Sequence, residues 1–248
     1  MRKTSVILLI IFSCLLAYGL MTMVSPGDII GVQTEKGNVA YAPFYKGESF
    51  TYDVMYQKVR LGKSVLTFHG EMTLGDQKAY YITFRTKVPS LNDAEDLYAD
   101  KHTFLPIEVH RSIKKKIGFD DRIVERYDQK NFRVYITQKS KLRSRDFTIQ
   151  KESLIHNAIL LAYYYRAQSD FDRNDVMAIN LPMAEFDIIY DGVETIDTPL
   201  GEYKAHVFTS DPEKFKLWLS ADERKIPLKI ENPGTFGYSL VIKSLDRG

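Results

Sequence analysis

The chain has 248 residues, of which 44% are hydrophobic, 27% charged and 12% aromatic. That composition excludes a disordered chain, a collagen-like repeat and a multi-span membrane protein, and the length suits one large all-β domain or two small ones. The net charge of +2, from 34 basic and 32 acidic residues, leaves the whole chain without a polyanion-binding bias. The 16 Tyr and 14 Phe against one Trp favour strands.

The chain opens on Arg2 and Lys3 and then runs apolar from Val6 to Val24. A basic start before an apolar stretch is an export signal. As a helix the stretch spans about 28 Å, close to a hydrocarbon core of about 30 Å, so it also suits a single retained membrane anchor. Ala17-Tyr18-Gly19 offers a cleavage site, and Cys14, the one cysteine, offers a lipidation site. Cleaved, retained or lipidated, residues 1–24 place the rest of the chain outside the cytoplasm, periplasmic or anchored facing the periplasm. With its single cysteine in that segment, the exported part has neither an intrachain disulfide nor a thiolate metal site. Residues 25–41 carry Pro26, Gly27, Gly31 and Gly37 without a sustained period and read as a linker. Residues 42–248 read as one exported β-rich domain.

From Gly47 onward apolar residues recur at period two. Phe50, Tyr52 and Val54 begin it, Leu66 and Phe68 continue it, and Leu217, Leu219, Ile226, Leu228 and Ile230 repeat it near the end. Such alternation predicts antiparallel strands with one dry and one wet face. Asp93, Glu95, Asp96 and Asp100 break the pattern and read as an acidic loop. From Glu152 to Gln168 the spacing turns helical, with Glu152 acidic at the start and Arg166 basic at the end, as the helix dipole prefers. Leu160, Tyr163 and Tyr164 widen the apolar stripe, so the helix is expected to be buried on most sides. One helix cannot cover ten or more half-apolar strands. The expectation is therefore a mainly β fold: a curved antiparallel sheet closing into a barrel or half-barrel, with one buried helix near 152–168.

Two stretches carry a family likeness. One is Pro43-Phe44-Tyr45-Lys46-Gly47-Glu48-Ser49-Phe50-Thr51-Tyr52, followed by Gly62; the other runs through Trp218, Asp222, Arg224 and Pro227. Together they resemble the domain of unknown function 3108, a family of exported bacterial proteins, over residues 42–245. The resemblance implies a secreted or periplasmic β-rich domain and brings no reaction and no catalytic residues. Physically, Asp222 and Arg224 suit a turn fixed by side-chain bonds. Trp218, on the face opposite Leu217, either fills a second apolar layer or lines an exposed site.

Motifs for chemistry are sparse. The chain has no Gly-x-Ser-x-Gly elbow, no zinc helix and no phosphate-binding loop, and its five histidines are not paired at ligand spacing. No cofactor, metal or nucleic-acid partner is expected. Charge is unevenly spread: residues 101–151 hold 14 basic and 6 acidic side chains, residues 170–248 hold 9 and 15. Lys139, Lys141, Arg143 and Arg145 recur at period two and are expected on one face of a strand, with Leu142 turned to the apolar side. Such a stripe suits either an anionic lipid or envelope surface, or a solvated edge that resists strand pairing. Three functions fit this pattern: a module binding or carrying an amphiphile such as a lipid, a non-enzymatic structural or assembly protein of the envelope, and an enzyme acting on an envelope polymer.

Overall fold

The computed structural model describes residues 44–173, 175–233 and 237–248, so the apolar start, Cys14 and the 25–41 linker lie outside the described residues. In chain order the elements are β1 (Ser49–Tyr56), β2 (Val59–Leu74), β3 (Gln77–Val88), β4 (Leu91–Asp100), β5 (Pro106–Lys115), β6 (Asp121–Asp128), β7 (Arg133–Ser140) and β8 (Ser144–Gln150). Helix α1 (Leu161–Arg166) follows, then β9 (Val176–Leu181), β10 (Ala184–Thr198), β11 (Gly201–Asp211), β12 (Lys216–Ser220), β13 (Pro227–Asn232) and β14 (Tyr238–Asp246).

All fourteen strands form one antiparallel sheet in the order β8 through β1, then β14 back to β9. The first strand therefore pairs with the last, Phe50 opposite Leu245, in the interior of the sheet. The two edges are β8 and β9, which are consecutive in the chain but not hydrogen-bonded to each other. The result is a curved, open sheet of barrel-like form whose ladder is broken at one seam. Register shifts at Phe68/Gly70 in β2 and Tyr190/Gly192 in β10 add local bends of the kind that curl a sheet.

Residues 151–157 span that seam. Gln129, after β6, accepts from the Ile155 amide at 3.0 Å and donates to the Ile155 carbonyl at 2.8 Å. On the other side the His156 amide donates to the Asn180 carbonyl of β9 at 2.6 Å, and the Asn180 amide donates to His156 Nδ1 at 3.2 Å. This is why the helix is shorter than its spacing predicts. Backbone groups of Ile155 and His156 are engaged across the seam, and Asn157 starts the turn instead, its Oδ1 accepting from the Ile159 amide at 2.9 Å. Asn suits such a turn, which leads into the helix at Leu161. Glu152 thus lies outside the helix.

Helix α1 separates two apolar cores. Leu160, Tyr163 and Ala167 face the larger, with Phe50, Tyr52, Leu66 and Phe68. Leu161 and Tyr165 face the smaller, with Ile179, Phe186, Phe208 and Leu217. Tyr163 sits 5.9 Å from Phe44, 5.8 Å from Phe68 and 6.1 Å from Phe104, ring centre to ring centre. Fully burying a large apolar side chain contributes roughly 1.5–3 kcal/mol, so these contacts, rather than six residues of helix propensity, hold α1 in place.

Candidate functional site

The first residues of the family likeness lie at the seat of this helix. Gly47 adopts φ +90°, and a Cβ there would lie 3.0 Å from the Cα of Gly248, so these two backbone stretches pass too close for a side chain. Its neighbour Glu48 is buried and receives Arg166 in a two-pronged pair, Nη1 to Oε1 at 2.6 Å and Nη2 to Oε2 at 3.0 Å. The Arg166 guanidinium also lies 5.0 Å from the Phe50 ring centre and 5.2 Å from that of Phe44. Arg166 stands in the last turn of α1, as its position in the sequence predicts, but it is only 1% exposed and ties α1 to Glu48, the residue just before β1. Tyr52 donates its hydroxyl to the Pro227 carbonyl at 2.9 Å, joining β1 to β13. At Gly62 a Cβ would approach the Lys87 carbonyl to 2.1 Å, which requires glycine.

The second signature stretch forms the β12–β13 turn. Asp222 accepts from the Ser220 hydroxyl at 2.6 Å and from Arg224 Nε at 3.0 Å and Nη2 at 2.7 Å. Trp218 is buried; its indole N–H donates to Glu194 at 2.5 Å, and the ammonium groups of Lys216 and Lys229 each lie 4.6 Å from its ring. It fills a second apolar layer under lysine stems rather than lining an open site.

Asp93, Glu95, Asp96 and Asp100 do not form an acidic loop. They belong instead to strand β4, where Leu91, Asp93, Glu95, Leu97 and Ala99 all point inward. Register sets Asp93 and Glu95 beside Arg111 of β5, which in turn neighbours Glu125 of β6. Arg111 Nε donates to Asp93 at 3.0 and 3.1 Å, its Nη2 donates to Asp93 Oδ2, and Nε lies 3.5 Å from Glu95. Tyr127 donates its hydroxyl to Glu125. Burial pushes the Glu95 carboxyl up to about 8, with Asp93 and Glu125 adding to the rise and Arg111 opposing it. Burial also raises Glu125. Burial thus favours the protonated forms of Glu95 and Glu125, because one Arg111 guanidinium does not compensate every carboxylate charge in this interior. Period-two reading missed this strand because its inward positions carry acids, whose water-seeking character hides the alternation. Arg111, one strand away in register, was a clue only once pairing was known.

His156 is buried and its ring nitrogen accepts a backbone amide, while burial lowers it to about 4, so it serves as a neutral seam residue. Lys139, Lys141, Arg143 and Arg145 do not share a strand face. Lys139 is the last residue but one of β7, Lys141 and Arg143 lie in the turn, and Arg145 belongs to β8, with Leu142 at the tip and 69% exposed rather than turned to the core. The period of two is interrupted by a hairpin reversal that short polar residues, Ser140 and Ser144, permit. Among the described residues no three His, Cys, Asp or Glu side chains group to hold a metal, and no helix is long and apolar enough to cross a membrane.

The family described as "Protein of unknown function (DUF3108)" matches residues 51–243. The chain belongs to the DUF3108 family. No curated protein matches it. Among solved structures, this DUF3108 chain is similar to a β-barrel-like protein of domain of unknown function DUF1849 from Brucella abortus, with a TM-score of 0.53 at 8% identity over 82% of this chain and 98% of that one. At that identity the likeness is one of fold, and it agrees with the curled open sheet. A candidate lipoprotein from Parabacteroides distasonis aligns at a TM-score of 0.31 and 10% identity, covering 82% of this chain and 97% of the other, a likeness too loose to carry an argument.

Proposed function

We propose that this DUF3108 chain is a non-enzymatic structural or assembly protein of the cell envelope that acts through its outer surface. The observation that carries the reading is the filled concave side of the sheet. Arg166, Tyr52, Tyr163 and Phe50 are among its largest fully buried side chains. An amphiphile carrier built on this fold needs a cavity of about 300 Å³ or more. The recess beneath α1, between Phe104, His156 and Tyr164, measures about 10 Å³, room for about one water. A larger hollow of about 500 Å³ beside Asp170, Phe171 and Arg173 is open to solvent and lined by a single outer loop. The carboxyls of Asp93, Glu95 and Glu125 are buried within the sheet, which favours a packing role over attack on a polymer. The envelope location rests on Arg2, Lys3 and the apolar run to Val24. Native mass spectrometry of the full chain released from membranes tests the interior: the expected spectrum shows bare protein once detergent is stripped. A stoichiometric lipid surviving that treatment sinks the reading in favour of a carrier.

A further inference from the structure

The β5–β6 and β7–β8 turns lie side by side at one end of the sheet, because Asp121 and Arg122 pair with Ser140 and Lys139 across β6 and β7. The Lys141 ammonium lies 5.9 Å from the Phe119 ring centre, joining one turn to the other. At the tips stand three apolar side chains with large exposure, Ile117 at 67%, Phe119 at 44% and Leu142 at 69%. Around them, residues 114–122 and 139–146 hold eight basic and three acidic side chains. One acid, Asp121, pairs with Lys115 at 2.5 Å, and another, Asp146, accepts the Thr137 hydroxyl at 2.7 Å. Lys139, Lys141, Arg143 and Arg145 make no ion pair among the described residues. The β1–β2 turn on the same rim presents Val59, also exposed, beside Lys58.

We infer that this pair of hairpin tips docks on an anionic phospholipid bilayer, Ile117, Phe119 and Leu142 entering the headgroup layer while the surrounding lysines and arginines meet lipid phosphates. A solvated, aggregation-resistant edge explains the cations but not the three apolar tips among them. A rigid acidic polymer would also use the cations and leave the tips in water. Apolar side chains ringed by cations on a convex loop suit a soft, negatively charged interface, where each cation near the surface changes local affinity roughly fivefold. The inference rests on the reading of the domain as one that works through its surface. A tightly held lipid in the mass spectrum would overturn that reading alone, whereas the experiment below reports on the tips alone.

The test uses the full chain with Cys14→Ser and a single Leu142→Cys carrying an environment-sensitive fluorophore, reconstituted in vesicles. A second label at Leu200→Cys, an exposed site in the β10–β11 turn at the opposite end of the sheet, is the control. Because any anchor is present in every sample, the contrast between lipids isolates the tip. The expected result is a blue shift of the label at 142 with phosphatidylglycerol-containing vesicles and none with neutral phosphatidylcholine. That shift disappears when Lys139, Lys141, Arg143 and Arg145 are changed to Gln, or when salt near 1 M shortens the Debye length to about 3 Å. The label at 200 stays in water throughout. A label at 142 that remains in water on anionic vesicles, shifts equally on neutral ones, or shifts as strongly with soluble polyphosphate overturns the proposal. Circular dichroism of each labelled variant confirms that the fold is intact, which an exposed tip position permits.

Discussion

Glu95 shows how a single side chain couples this interior to solvent. Its folded-state value near 8 lies above the ordinary carboxyl range, so the folded protein holds a proton there that the unfolded chain releases. Stability from this group is therefore present at low pH and is lost as pH rises from about 4.5 to about 8. His156 works in the opposite direction. Lowered to about 4 by burial, it must take up a proton on unfolding, so its contribution is present above about 6.5 and lost as pH falls toward 4. Greatest stability is expected between these two flanks. Glu95→Gln, which copies the protonated acid, should raise the melting temperature relative to wild type by an amount that grows between pH 5 and pH 8. His156→Asn, which keeps an acceptor for the Asn180 amide, should flatten the acid flank instead. Thermal melts across pH check both, and a Glu95→Gln difference that does not change with pH would show that the carboxyl is ionised throughout.

At the scale of elements, strand contacts set which small residues are indispensable. Gly62 and Gly75 both lie at strand positions or turns of the first hairpins, yet their surroundings differ. A Cβ at Gly75 would meet nothing within 4 Å, and its φ of +59° carries only the ordinary left-handed penalty of about 1 kcal/mol. A Cβ at Gly62 would collide with backbone at Lys87 and with the Val88 side chain. Gly75→Ala should lower the melting temperature by about 2–4 °C and Gly62→Ala by at least twice that, or abolish soluble protein. Calorimetry of the two variants decides; equal small losses would mean that β2 and β3 separate easily at that point. The Arg166–Glu48 pair belongs to the same scale. Removing one buried partner costs about 3–5 kcal/mol, since it strands the other charge, although the pair adds little over a matched apolar pair.

The whole molecule has an uneven ladder. β1, β2 and β14 lie inside the sheet with neighbours on both sides, while β8 and β9 end it and are bridged by the 151–157 segment. Most of β8 is exposed on both faces. Hydrogen exchange followed by mass spectrometry should find the slowest amides in β1 and β14 and much faster ones in β8, in step with local rather than global opening. Exchange in β8 as slow as in β1 would mean that the seam closes into a continuous barrel in solution.

Much of this architecture was legible from the chain alone. Phe50, Tyr52, Val54, Leu66 and Phe68 announced strands because a dry face beside a wet face forces period two, and ten or more such half-apolar strands have to curl to bury those faces. The family likeness through Gly47, Glu48, Tyr52 and Trp218 was equally visible, since local spacing carries it. Tertiary structure decided what non-local pairing controls. Only the register of β4 against β5 turns Asp93 and Glu95 from a supposed loop into an interior network with Arg111. Only the seam between β8 and β9 shortens the helix, by claiming the backbone of Ile155 and His156. And only the reversal at Lys141 to Arg143 turns a row of cations into a hairpin tip with Leu142 at its apex. In each case the deciding neighbour lies across a strand pairing or a turn, and a one-dimensional period records neither.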